Sequence, residues 1–174
     1  MAKELERRFL INAVPEEVRQ IVPTVVADCY WPVESGHCQL RMRRVGNRFE
    51  MTKKLPVSCN DLSIMEEHTI PLSEAEYSAL KAAPAKWLVK DRYVMDTVSA
   101  RVELGVFREK LEGLAIADVE FDTEAKMRMF SPLWWFGKEV TNEKRLAGGE
   151  LCGSSIADLS QMLLAYGFQQ LAQS

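Results

Sequence analysis

The run Glu4-Leu5-Glu6-Arg7-Arg8-Phe9-Leu10 constrains this chain more than any other segment. Read as a strand, it sends Glu4, Glu6 and Arg8 to one face and Leu5, Arg7 and Phe9 to the other, because side chains alternate with a period of two. Two carboxylates and a cation on one strand face do not make a hydrophobic core. They suit a site for a divalent metal and a polyphosphate, since hard cations take carboxylate oxygens and phosphates take cations.

The same alternation recurs downstream. Residues 39–43 and 48–54 read as a hairpin around Gly46-Asn47, and 65–72 and 86–96 read as strands. Residues 100–109 and 114–122 form a further pair around Glu112-Gly113. Helix starts are fewer. Pro15-Glu16-Glu17 places proline and two acids in a first turn, and Ser73-Glu74-Ala75-Glu76 has the capping-box form. Thr123-Glu124-Ala125-Lys126 opens another helix. Ile156, Leu159, Leu163 and Tyr166 recur at helical spacing before Gly167. Strands outnumber helices, which predicts an α+β fold dominated by an antiparallel sheet. At 174 residues the expectation is one domain, with its core over 3–146 and a helical C-terminal segment over 154–168.

Ionic side chains are sorted by strand. Acids gather on the first and last strands (Glu4, Glu6; Asp118, Glu120, Asp122), and Glu67 lies on the fourth. Bases gather between them (Arg41, Arg43, Lys54, Lys90, Arg92). The alternate positions are mostly apolar: Leu40 and Met42, Phe49 and Met51, Val102 and Leu104, Val119 and Phe121. One reading is a sheet with one buried and one solvated face. The other is a closed sheet whose polar lumen sets acids opposite bases, a chamber for a cation and phosphates.

A net charge of −3 gives no global attraction to nucleic acid or acidic membranes, so any basic site is local. Four scattered cysteines without a C-x-x-C pair, and only two histidines, argue against zinc. The charged start and the lack of a run of about 20 apolar residues predict a cytoplasmic protein with no membrane segment and reduced thiols.

These elements resemble the CYTH superfamily, the triphosphate tunnel metalloenzymes. The family's E-x-E-x-K reads Glu4-Leu5-Glu6-Arg7-Arg8, and its R-x-R reads Arg41-Met42-Arg43. T-x-K reads Thr52-Lys53-Lys54, K-x-R-Y reads Lys90-Asp91-Arg92-Tyr93, and E-V-E reads Asp118-Val119-Glu120. W-x-G-x-E-V-T…R reads Trp135-Phe136-Gly137-Lys138-Glu139-Val140-Thr141…Arg145. The resemblance implies an eight-stranded antiparallel β-barrel, the tunnel, with flanking helices. It also implies hydrolysis of a triphosphate with Mg²⁺ or Mn²⁺. Members act on inorganic tripolyphosphate, thiamine triphosphate or RNA 5′-triphosphate ends, and others make cyclic AMP. The chain is most similar to short bacterial members, commonly tripolyphosphatases.

On that resemblance, Arg41, Arg43, Lys54, Lys90, Arg92 and Arg145 bind the polyanion. Glu4, Glu6, Asp118 and Glu120, supported by Glu67, hold the metal, and Arg8 with Tyr30 matches a lysine and tyrosine proposed to assist catalysis. The partner is a small-molecule triphosphate; neither nucleic acid nor membrane is expected, and a homodimer is left open. Three positions depart from the family pattern: Arg8 stands for its lysine, Thr69 for the second acid of the fourth strand, and Gly105 for an aspartate. A polyphosphate- or nucleotide-binding protein with weak or no turnover is therefore the first alternative, and an adenylyl cyclase or thiamine triphosphatase the second. Arg7 and Lys53 are expected on the outward face and solvated. Trp134, Trp135 and Phe136 are expected to plug a barrel end.

Overall fold

Alternation of charged and apolar side chains carries most of the chain into strands: β1 (Ala2–Leu10), β2 (Thr24–Trp31), β3 (Leu40–Val45), β4 (Arg48–Ser58), β5 (Asp61–Leu72), β6 (Lys86–Asp96), β7 (Arg101–Phe107) and β8 (Ala115–Phe121). The structure, a computed structural model, describes residues 2–34, 40–58, 60–97 and 100–171; His37, Cys38 and Cys59 lie outside them. The helices are α1 (Glu16–Arg19), α2 (Glu74–Lys81), α3 (Glu124–Met129), α4 (Gly148–Leu151) and α5 (Ile156–Ala165). The expected capping box at Ser73/Glu76 is present, and Gly167 ends the last helical segment with φ 69°.

The strands close into a barrel in the order β1-β5-β4-β3-β2-β6-β7-β8, with β8 returning to β1 and every pairing antiparallel. This is the expected α+β tunnel. It is polar inside and apolar outside, so the apolar outer face needs covering. Phe9, Val102, Leu104, Val119 and Phe121 pack against Phe130, which follows α3. Cys29 and Met42 are covered by Tyr77 of α2.

One end of the lumen is filled. Leu10, Tyr30, Leu88, Phe107 and Ile116 form a buried cluster with Leu146, Leu151, Leu159, Met162 and Leu163. Thus α4 and α5 plug the barrel where β2 finishes. Trp135 and Phe136 do not: they pack outside the wall, Phe136 against Phe9 with ring centroids 4.9 Å apart, and Trp134 is 85% exposed. Phe9 faces outward by strand parity, so its aromatic partners follow it there.

The seam beside β1 changes hands along the strand. Registered pairing with β5 covers Ala2 to Leu5 only. Beyond it, residues 137–140 take over: Leu10 donates its amide to the Lys138 carbonyl at 2.9 Å, and Arg8 and Leu10 accept from the amides of Val140 and Gly137. Arg7 locks this strip. Its guanidinium donates to both Glu139 carboxylate oxygens (2.9 and 2.7 Å) and lies over the Phe9 ring. Arg7 is outward-facing as expected but not solvated, because the strip and Phe130 cover it.

Candidate active site in the barrel chamber

Above the plug, the lumen holds a cavity of about 480 Å³. The strand order makes it two-sided. The adjacent strands β7, β8 and β1 contribute Glu103, Asp118, Glu120, Glu4 and Glu6; the adjacent strands β4, β3, β2 and β6 contribute Lys54, Arg41, Arg43 and Lys90. An acidic arc thus faces a basic arc. Arg8 stands within the acidic arc, and Asp28 within the basic one.

Most of these charges pair. Arg8 donates through Nε to Asp118 at 2.7 Å, lies 3.4 Å from Glu6, and donates through Nη1 to the Leu146 carbonyl at 3.1 Å. Arg43 grips Asp28 with a two-point fork at 2.7 and 2.8 Å. Lys54 binds Glu4 and, at 3.1 Å, Glu67. Lys90 lies 3.8 Å from Asp118, and Arg92 lies 3.1 Å from Glu103. Arg41 and Lys144 line the chamber without an ion pair to another described residue, and Arg41 Nε is buried with no hydrogen-bond partner.

Burial and neighbours set the protonation. Burial, then the nearby Asp118, pushes Glu6 up to about 7. Burial together with Glu103 and Glu4 raises Glu120. Burial also opposes charge on Asp28, Asp118 and Lys54, but oppositely charged partners win at each. Arg43 pulls Asp28 down to about 2, Arg8 and then Lys90 depress Asp118, and Glu6 and Glu4 raise Lys54. On Lys90 burial outweighs Asp118 and lowers the pKa. Burial, then Asp28, raises Tyr30 to about 12, so its phenol stays a proton donor near neutral pH.

Arg8, Tyr30, Arg41, Arg43, Lys54, Lys90, Glu4, Glu6, Asp118 and Glu120 all line the chamber. Glu67 is inward by register but is held by Lys54 and by the Thr69 hydroxyl, which donates to it at 2.7 Å. Arg92 shares the inward parity and is taken up by Glu103, outside the chamber lining. Arg145 is not brought to the chamber. It is half exposed and pairs with Glu143 at 3.2 Å, while its neighbour Lys144 lines the cavity. Asp28, Glu103, Lys144 and Glu150 are ionic lining residues that the sequence reading did not assign to the site. The departure at Gly105 has a steric counterpart: a Cβ there meets the Lys90 stem at 2.8 Å, so Lys90 occupies the room an aspartate needs. Among the described residues, no helix is long and apolar enough to cross a membrane.

No family model matches the chain. It is 33% identical over 144 residues to an inorganic triphosphatase of Nitrosomonas europaea, covering 82% of this chain and 91% of that protein. The crystal structure of an inorganic triphosphatase matches with TM-score 0.62 and 26% identity, covering 88% of this chain and 97% of that one. A Pyrococcus horikoshii protein shares the fold at TM-score 0.53 and 14% identity, covering 95% and 91% of the two chains. Identity of 33% across most of both sequences, together with a closed eight-stranded tunnel lined by opposed acids and bases, places the chain in the CYTH superfamily of triphosphate tunnel metalloenzymes.

Proposed function

We propose that this chain hydrolyses a triphosphate, inorganic tripolyphosphate above all, inside the barrel chamber with Mg²⁺ or Mn²⁺. The observation that carries the reading is the chamber itself, an acidic arc facing a basic arc, in a chain similar to an inorganic triphosphatase. Phosphoryl transfer leaves a protein little covalent work, so positioning and charge stabilisation dominate. In this reading Arg41, Arg43, Lys54 and Lys90 neutralise and orient the polyanion. Arg92 and Arg145 stand behind them in second place, because neither lines the chamber. Tyr30 supplies a phenolic hydrogen bond.

Among the described residues, no group of three acidic, histidine or cysteine side chains forms a ready-made cation cage. Glu6 and Glu120 are registered side by side on β1 and β8, and both have raised pKa values. A neighbouring cation relieves that penalty. The pair fits Mg²⁺ or Mn²⁺, which take one or two carboxylates and complete their shell with water and substrate oxygens. Glu4 stands with them, and Asp118 and Glu67 contribute after release from their bases. Bound there, the ion supplies charge neutralisation and an activated water.

Phosphate release from tripolyphosphate with Mg²⁺ or Mn²⁺ is the expected result, and Glu4→Gln/Glu6→Gln lowers it by about 100-fold or more. Absence of release with any divalent metal overturns the reading. One observation favours a second reading, a chamber that binds polyphosphate with weak or no turnover. Arg8 is fixed between Asp118 and Leu146 and is always charged, so it cannot relay a proton as a lysine can. Tight binding without phosphate release identifies that case.

A further inference from the structure

Lys144 and Arg41 differ from every other cation lining the chamber. Arg8, Arg43, Lys54 and Lys90 each have a carboxylate within 4.0 Å, whereas these two have none among the described residues. The register places Arg41 beside Tyr30, and a Cβ added to Gly148 meets the Tyr30 hydroxyl. Arg41 therefore sits at the plugged end, which the segment carrying Lys144 also lines.

Lys144 is aimed there by its neighbours. It opens a single 3₁₀ turn, Lys144–Leu146, in which successive side chains point about 120° apart. Leu146 is fully buried in the plug, and its carbonyl accepts from Arg8. Arg145 is turned outward by Glu143, whose carboxylate accepts from the Arg145 amide and guanidinium and from the Tyr166 hydroxyl at 2.6 Å. With those two directions fixed, the third belongs to Lys144 and leads into the cavity.

We propose that Lys144 is a further substrate-binding residue, which with Arg41 seats an outer phosphate of the triphosphate at the plugged end of the chamber. This rests on the triphosphatase reading above. Two cations with no ion pair among the described residues are the charges a polyanion can take up without first breaking one.

Calorimetric titration of tripolyphosphate into the full chain, with and without Mg²⁺, tests it. Lys144→Ala weakens binding by about fivefold to tenfold, the order of one charge-assisted hydrogen bond on a partly exposed group. Lys144→Arg restores the affinity, and Lys138→Ala, an exposed lysine outside the chamber, leaves it unchanged. In steady state the Lys144→Ala change falls on KM, with kcat altered less than about twofold. Binding retained in full by Lys144→Ala removes this inference alone. Absence of binding by the unaltered chain removes the triphosphatase reading and this inference with it.

Discussion

Glu6 ties the chamber to pH through one proton. An ordinary glutamate loses that proton near 4.5; burial and Asp118 hold it here to about 7. Between those values the folded chain binds a proton that the unfolded chain has released, so this group's contribution to stability declines as pH rises from 4.5 to 7. Asp28 has the opposite sign. Its contribution is full above 3.8 and is lost as pH falls toward 2. Replacing Glu6 by Gln abolishes the first decline, so urea unfolding should show the variant gaining on the original chain between about pH 5 and about pH 8. Equal differences at both pH values count against it. At this scale the sequence reveals which face a charge occupies but not its partner. Alternation put Arg8 and Glu6 on one side, yet nothing in the spacing says that Arg8 reaches the Leu146 carbonyl. Nor does the W-x-G-x-E-V-T…R pattern say which of Lys144 and Arg145 turns inward, because a 3₁₀ turn decides it.

Among the elements, β2 was illegible as a strand, and the reason is that apolar side chains stand on both of its faces. Val26, Asp28 and Tyr30 face the lumen, while Cys29 on the outer face lies under Tyr77 of α2. A strand with apolar residues on both sides loses the apolar–polar contrast that marks a half-buried one. Asp28, the partner of Arg43, went unread with it. By contrast β1, β3, β4 and β8 set ionic side chains inside and apolar ones outside, and their alternation was plain. The plug was also half visible. The helical spacing of Ile156, Leu159 and Leu163 predicted α5, but not that Gly148 packs against Tyr30. A Cβ on Gly148 lies 2.2 Å from the Tyr30 hydroxyl, a contact that requires movement of the plug or the phenol. Gly148→Ala is therefore expected to destabilise the chain by about 1–3 kcal/mol, the cost of overpacking a well-filled site. The urea midpoint checks it, and an unchanged midpoint shows that α4 shifts freely.

For the molecule as a whole, a chamber lined by so many ionic side chains predicts linkage between ligand and stability. Tripolyphosphate at 100 times its Kd adds about 2.7 kcal/mol. For a chain of this size that corresponds to a rise in Tm of roughly 5–10 °C. Added salt should shrink the shift, since screening weakens the attraction of the rim charges for the polyanion. A thermal melt indifferent to tripolyphosphate contradicts a ligand seated in the lumen.

The seam beside β1 has a consequence in time. Its first residues hydrogen-bond to β5, its later ones to β8 on one side and to residues 137–140 on the other. During synthesis, β1 therefore leaves the ribosome long before its neighbours exist. The barrel seam cannot be completed until the chain through residue 140 has been made. Contacts this distant along the chain make for slow acquisition of structure, in milliseconds to seconds rather than the microseconds of helical bundles. Until then, the row of charges along the nascent strand keeps it from pairing with its neighbours' counterparts.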